Sequence, residues 1–343
     1  MAFSNEPVQF KFKWINEQGQ ETGFLRKRGE FKNDTLHLDT TELPTAALLD
    51  VVIRDNRMGI TVLTKEGGSQ GFGISVSGGV SARNLKKWID VSRSSHWAKS
   101  HKEALEKKGE GHHYREETCP ECHATLILSR MPHTPQLYCH FCDALMTVGD
   151  PKAVPVGERA LKLCDSCGMF SKPRKFTIFY FYFLLVVYGW RQQITWRCPA
   201  CMRGDAWKML FGNLMFILGV PVAITQLIRS YGGDIAGGPF KGLDSANLKA
   251  RKGDFTGAIG KYRNILGQIR RSAGIKYNIG LGLLKEQPKL AAESFESALQ
   301  DCANYQPAFR ALLQCYQTLG EKQKLQALKH TWDVSDEAGE KVA

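Results

Sequence analysis

The sequence predicts a multidomain α+β protein. A β-barrel or sandwich with a C-terminal helix leads into two compact cysteine-bearing modules, an apolar helical segment and a C-terminal α-solenoid. Three observations predict this. Apolar residues alternate with period two through residues 8–80, and the period becomes helical after Ser81. Eight of the ten cysteines fall into four C-x-x-C pairs. Residues 246–330 repeat at intervals of 33 to 34 residues.

In the first segment, "FKFKW" sets Phe10, Phe12 and Trp14 against lysines, the mark of a half-buried strand. "TLHLD" alternates Leu36 and Leu38, and "DVVIRDNRMGITVLT" reads as two strands about a turn at Asp55-Asn56-Arg57. A Gly-rich turn then precedes Phe72, Ile74 and Val76 on one face. Ser81 is an N-cap residue, and Leu85, Trp88 and Ile89 mark the buried face of the helix that follows. "HWAKSHKEALEKKGE" extends this helix as a charged arm, and "GEGHHYREE" reads as a linker. About six strands closed by one helix over residues 8–95 resemble a pleckstrin-homology-like domain, whose helix plugs one end of a barrel. The domain is assigned to residues 1–110.

The cysteine pairs are Cys119/Cys122, Cys139/Cys142, Cys164/Cys167 and Cys198/Cys201. The opening "MAFSNEPVQFKFKW" lacks the apolar core of a signal peptide, so thiolates rather than disulfides are expected. In the first set 16 residues separate the pairs, and "ATLILS" and "QLY" supply a hairpin that brings them together. Four thiolates complete a tetrahedral zinc site with no open position. Residues 117–147 resemble a zinc ribbon at all four ligand positions, and that resemblance implies a structural ion. His112, His113, His123, His133 and His140 are read as surface or packing residues, with one of them as a ligand the lesser alternative; redox chemistry of the C-x-x-C pairs is a competing use.

In the second set 30 residues separate the pairs. Within them "FTIFYFYFLLVVYGW", residues 176–190, is aromatic and β-branched. As a helix its 15 residues reach about 22 Å, short of the ~30 Å hydrocarbon core. If this stretch crossed a bilayer once, the two pairs could not share an ion, because Zn–S bonds are about 2.3 Å. A second zinc ribbon is therefore expected over 160–204, with residues 174–197 as a long hairpin whose aromatic face is covered by a membrane interface or another domain. Two structural Zn2+ ions are predicted.

"WKMLFGNLMFILGVPVAITQLI", residues 207–228, carries only Lys208 as a charge. Its 22 residues span about 33 Å as a helix, long enough to cross a bilayer. Trp207 and Lys208 at one end, and Arg229 and Tyr231 at the other, have the character of interface anchors. Residues 207–229 are accordingly expected to form a transmembrane or re-entrant helix. The competing reading is a helical hairpin broken at Gly219-Val220-Pro221. Arg197, Arg203 and Lys208 before the run outnumber Arg229 and Lys241 after it, which would place the ribbons in the cytoplasm.

A Gly-rich linker, residues 230–242, leads to the repeats of 243–335. Ala258, Tyr262 and Ile265 recur 33 residues later as Ala291, Phe295 and Ala298, Gly280 aligns with Leu313, and Gly253, Gln287 and Gly320 take the turns. These positions resemble tetratricopeptide repeats, and the resemblance implies stacked helix pairs that bind a peptide or protein. Lys249 departs from the pattern in the first unit. Cys302 and Cys315 lack C-x-x-C partners and are read as small buried residues.

Residues 151–230 carry 11 Lys/Arg against 3 Asp/Glu, so the formal +12 centres on the apolar runs, as suits an anionic membrane surface. No phosphate loop, catalytic triad order, paired-carboxylate motif or H-E-x-x-H stands out, so no enzyme is expected. The leading expectation is a membrane-associated scaffold that binds a protein partner through its repeats. The alternative is a zinc-ribbon nucleic-acid-binding protein with a helical oligomerisation arm. Against it, residues 1–150 have balanced charge and the "SRMPHTP" loop holds one formal cation.

Overall fold

The structure, a computed structural model, describes residues 7–64, 67–148, 160–184, 187–214, 219–232, 236–269 and 271–332. The chain forms two units, residues 1–129 and 130–343.

The first unit holds a seven-stranded antiparallel sheet. Its strands are β1 (Val8–Ile15), β2 (Lys27–Lys32), β3 (Thr35–Leu38), β4 (Thr41–Pro44), β5 (Leu48–Arg54), β6 (Arg57–Leu63) and β7 (Ser69–Ser77), in the order β4-β3-β2-β1-β7-β6-β5. Asp55, at φ 62°, opens the two-residue turn between β5 and β6. Two strands carry little apolar alternation, "KRGEFK" and "TELP"; β4 lies at the sheet edge and ends on Pro44. The alternating residues Phe10, Phe12, Leu36, Leu38, Ile60 and Ile74 form the core, and Leu85 and Ile89 of α1 (Ala82–Lys107) pack into it. Ser81 caps α1, its hydroxyl accepting from the Asn84 amide at 3.2 Å. Burial holds the Asp90 carboxyl above the usual range, and Lys86 and Arg93 pair with it. Strands β8 (Glu116–Thr118) and β9 (Thr125–Ile127) form a short hairpin, and Ser94 of α1 accepts from the Thr125 amide at 2.9 Å.

In the second unit, β10 (Gln136–Cys139) pairs with β11 (Ala144–Thr147), and β12 (Lys162–Leu163) with β13 (Phe170–Ser171). A long hairpin follows, β14 (Arg174–Leu184) against β15 (Val187–Arg197), in continuous register from Arg174↔Arg197 to Leu184↔Val187. Of the aromatic run 176–190, Phe176 is buried and Ile178 and Phe179 pack against the same small core, while the side chains of 180–190 lie outside those described.

The transmembrane expectation for 207–229 is overturned. Among the described residues no helix is long and apolar enough to cross a membrane. The run is divided between α2 (Pro199–Asn213) and α3 (Val220–Tyr231), of 15 and 12 residues, which pack on each other. These reach about 22 and 18 Å, well under the ~30 Å needed. Pro221 sits in the first turn of α3, where its missing amide costs nothing, and Gly219 occupies the N-cap. A Cβ on Gly219 would fall 2.2 Å from Asn213 Oδ1, so the break requires glycine. Asn213, polar within the run, donates to Phe179 O at 3.0 Å and Met209 O at 2.7 Å. The apolar residues serve a small core instead: Met202, Ala206, Met209 and Ala223 close over Phe176 at the base of the hairpin. The membrane localisation and cytoplasmic orientation inferred from that span fall with it. Composition alone could not separate a bilayer from a core of this kind.

The remaining helices are α4 (Leu243–Arg251), α5 (Phe255–Ile269), α6 (Ala273–Leu283), α7 (Pro288–Asp301), α8 (Gln306–Leu319) and α9 (Lys322–Thr331), each packed on the next. The repeating residues Ala258, Tyr262, Ile265, Ala291, Phe295 and Ala298 are all buried in one core. Gly253 and Gly320 adopt φ of 84° and 70°, a left-handed conformation that favours glycine. Gly280 permits a close approach, since a Cβ there would lie 2.4 Å from the Phe295 ring. Gly280→Val is expected to destabilise the array by about 1–3 kcal/mol through overpacking. Urea unfolding followed by helical circular dichroism would register the loss.

Candidate metal centres

Two groups of four cysteines converge, Cys119/Cys122/Cys139/Cys142 and Cys164/Cys167/Cys198/Cys201. In each, the four sulfurs lie within 4.8 Å of one another. Four sulfurs at about 2.3 Å from a central ion stand about 3.8 Å apart along a tetrahedral edge. Cys167 Sγ and Cys198 Sγ are 3.8 Å apart, which fits that edge. The donor set is four soft sulfurs, suited to zinc or iron–sulfur chemistry and poor for calcium or magnesium. Both clusters could hold a metal ion. Among the described residues no other group of His, Cys, Asp or Glu converges in this way, and none of His112, His113, His123, His133 and His140 joins a cluster.

Local backbone builds these sites. In three pairs the residue after the second cysteine is left-handed: His123 at φ 64°, Asp143 at 59° and Gly168 at 68°. That conformation turns the chain back on itself. Cys119 N donates to Ala124 O at 2.9 Å, and Cys164 N to Met169 O at 3.0 Å. The fourth pair uses a helix. Cys198 ends the long hairpin and is the N-cap of α2, and Cys201 lies in the first turn, where unpaired amides favour a thiolate. The Cys198 amide donates to Cys164 Sγ at 3.2 Å. Hydrogen bonds from Cys167, then Cys198 and Cys201, hold the Cys164 thiol far below the ordinary thiol range. Asp165 accepts from the Trp196 amide at 2.7 Å and ties the Cys164/Cys167 turn to the end of β15 beside the cluster. The greasy insert therefore returns to its origin.

The repeats reach into this site. Arg251, the last residue of α4, places Nη1 3.0 Å from Cys201 Sγ. A divalent ion held there by four thiolates would carry a net charge of −2, and the Arg251 guanidinium would offset part of it. Next to the cluster, Phe170 of β13 is held through its backbone. Its amide donates to Asn278 Oδ1 at 2.7 Å; its carbonyl accepts from Asn278 Nδ2 at 2.7 Å and from Asn247 Nδ2 at 2.9 Å. The Tyr262 hydroxyl and Asn278 Nδ2 both donate to Asn247 Oδ1, at 2.7 and 3.0 Å, and fix its orientation. The Phe170 ring lies over Gly274, where a Cβ would approach it to 2.4 Å.

The arrangement recurs at β10. Tyr138, just before Cys139, donates its amide to Asn304 Oδ1 at 2.9 Å and accepts from Asn304 Nδ2 at 2.7 Å at its carbonyl. Its ring meets Tyr305 edge-on at 5.2 Å. Gln136 Oε1 accepts from the Ala273 amide at 2.8 Å. Asn278 and Asn304 each pair with the amide and the carbonyl of one residue, as a neighbouring strand would. Sequence reasoning missed Asn247, Asn278, Asn304 and Arg251. The three asparagines stand 31 and 26 residues apart where the repeats run at 33 to 34, and one polar residue on a helix carries no spacing signal. Cys302 and Cys315 are buried and apart from both clusters. Comparison with protein-family models, with curated proteins and with solved structures finds no match to this chain.

Proposed function

We propose that the protein is a non-catalytic adaptor: two structural zinc ions fold its cysteine modules, and a tetratricopeptide-like array engages a protein partner. One observation carries the reading. Both donor sets are closed, with four sulfurs and no position for a reacting water, so the ions act on folding rather than on a substrate. Zinc matches the sulfur donors and the tetrahedral spacing. The array supports the second half. It spends the buried faces of α4 and α6 on the chain's own β13 and leaves Lys285, Lys289, Arg310 and Lys322 exposed around the other helices. These cations suit an acidic protein surface.

Amine cross-linking of the native complex, read by mass spectrometry, tests this. Partner cross-links are expected on Lys285, Lys289 and Lys322. Cross-links confined to residues 1–129, or steep salt-dependent binding to DNA or RNA, would contradict it.

A further inference from the structure

The clamp around Phe170 has the features of a peptide site. It reads one residue's backbone amide and carbonyl through Asn278, reads the same carbonyl again through Asn247, and accepts one aromatic ring over Gly274. None of these contacts uses the chemistry of a neighbouring side chain. Any extended segment with an aromatic residue can satisfy them. Asn247 and Asn278 are fully buried beneath β13, and they are braced by Tyr262 and by each other rather than by β13 alone. The site therefore keeps its shape if its guest leaves.

The guest is tethered weakly by its own sheet. β12 and β13 pair over only two residues each, too few to persist alone. Apart from the clamp itself, what holds β13 in place is the turn from Cys164 to Met169, which the second cluster closes. Arg251 adds a direct link between that cluster and α4, the helix that also carries Asn247.

We infer that the asparagine clamp is a peptide-docking site closed in cis by Phe170, and that emptying the second cysteine cluster opens it to an extended segment of another chain bearing an aromatic residue. The inference rests on the array being a protein-binding element and names the segment it takes. With the cluster filled, β13 occupies the clamp at the high effective concentration of a tethered ligand, and an external peptide competes poorly. With the cluster empty, the Cys164–Met169 turn loses its constraint and β13 leaves. The buried amides then exchange one strand for another, with the same hydrogen bonds.

The test uses a fluorescent octapeptide with the sequence of residues 166–173 and serine at the Cys167 position. Binding is followed by anisotropy to the full-length, metal-loaded chain and to full-length Cys198→Ser, which keeps the first cluster intact. The peptide is expected to bind Cys198→Ser at least tenfold more tightly than the parent chain. Alanine at its phenylalanine, or Gly274→Leu added to Cys198→Ser, abolishes that gain. Circular dichroism of Cys198→Ser is expected to keep the helical signal of the array. Equal affinity for both chains, no binding to a still-helical Cys198→Ser chain, or collapse of the helices in that variant would each overturn the inference. Any of these would leave the cross-linking pattern on Lys285, Lys289 and Lys322 to be judged separately.

Discussion

Cys198→Ser is expected to reduce bound zinc from two ions per chain to one and to unfold the 160–204 module. The argument is energetic. Binding at a structural four-sulfur zinc site supplies roughly 10–16 kcal/mol of apparent folding free energy. Whole domains are stable by only about 5–15 kcal/mol, so a module built round such a site does not outlast it. The local structure offers little else. β12 and β13 are two residues each, and the turn between Cys164 and Met169 has its two backbone hydrogen bonds beside the cluster. Serine keeps the size of the side chain and removes the soft donor, so the loss reports the metal rather than packing. The seven-stranded sheet has a separate core of Phe12, Leu36, Leu38 and Met58, and its unfolding is expected to stay unchanged. Elemental analysis after dialysis, together with urea titration followed separately by near-ultraviolet and helical signals, checks both halves of the expectation.

Phe170→Ala is expected to cost about 3–5 kcal/mol, the usual range for emptying a fully buried aromatic site. The ring is 1% exposed and fills space that Gly274 leaves open on α6. Neighbours cannot easily collapse into the gap, because the Phe170 backbone remains pinned by Asn278 and Asn247. Asn278→Ala attacks the same joint differently. It strands a buried amide at about 1–3 kcal/mol and removes one of two donors to the carbonyl. The two changes share one contact, so their effects are not expected to add. In the parent chain the 160–204 module and the helices share one core and are expected to unfold in one transition. In Phe170→Ala the module is expected to melt before the helices, splitting the urea curve into two steps.

The cysteine sites were legible because spacing carries their chemistry. C-x-x-C places two sulfurs on one turn, and the topological argument that one ion cannot be shared across a bilayer pointed to a hairpin over 174–197, which β14 and β15 form. The C-terminal helical region was legible for a related reason: Ala258/Ala291 and Tyr262/Phe295 recur at helical positions, and all four are buried. The apolar run from Trp207 was misread because hydropathy averages over position. A hairpin broken at Gly219-Val220-Pro221 was visible as the competing reading, yet only the packing of Met202, Met209 and Ala223 on Phe176 shows that the run folds on itself. Asn213 and Asn278 were unreadable for the opposite reason. Each is one amide whose role depends on which distant backbone reaches it, Phe179 for the first and Phe170 for the second.

Zinc K-edge X-ray absorption on the full-length protein, purified without chelator, tests the central claim most directly. The account predicts two zinc ions per chain, each with four sulfur scatterers at about 2.3 Å and no oxygen or nitrogen in the first shell. Sulfur numbers near two with lighter ligands completing the shell, or metal-free protein in which Cys164 is found in a disulfide, would contradict it.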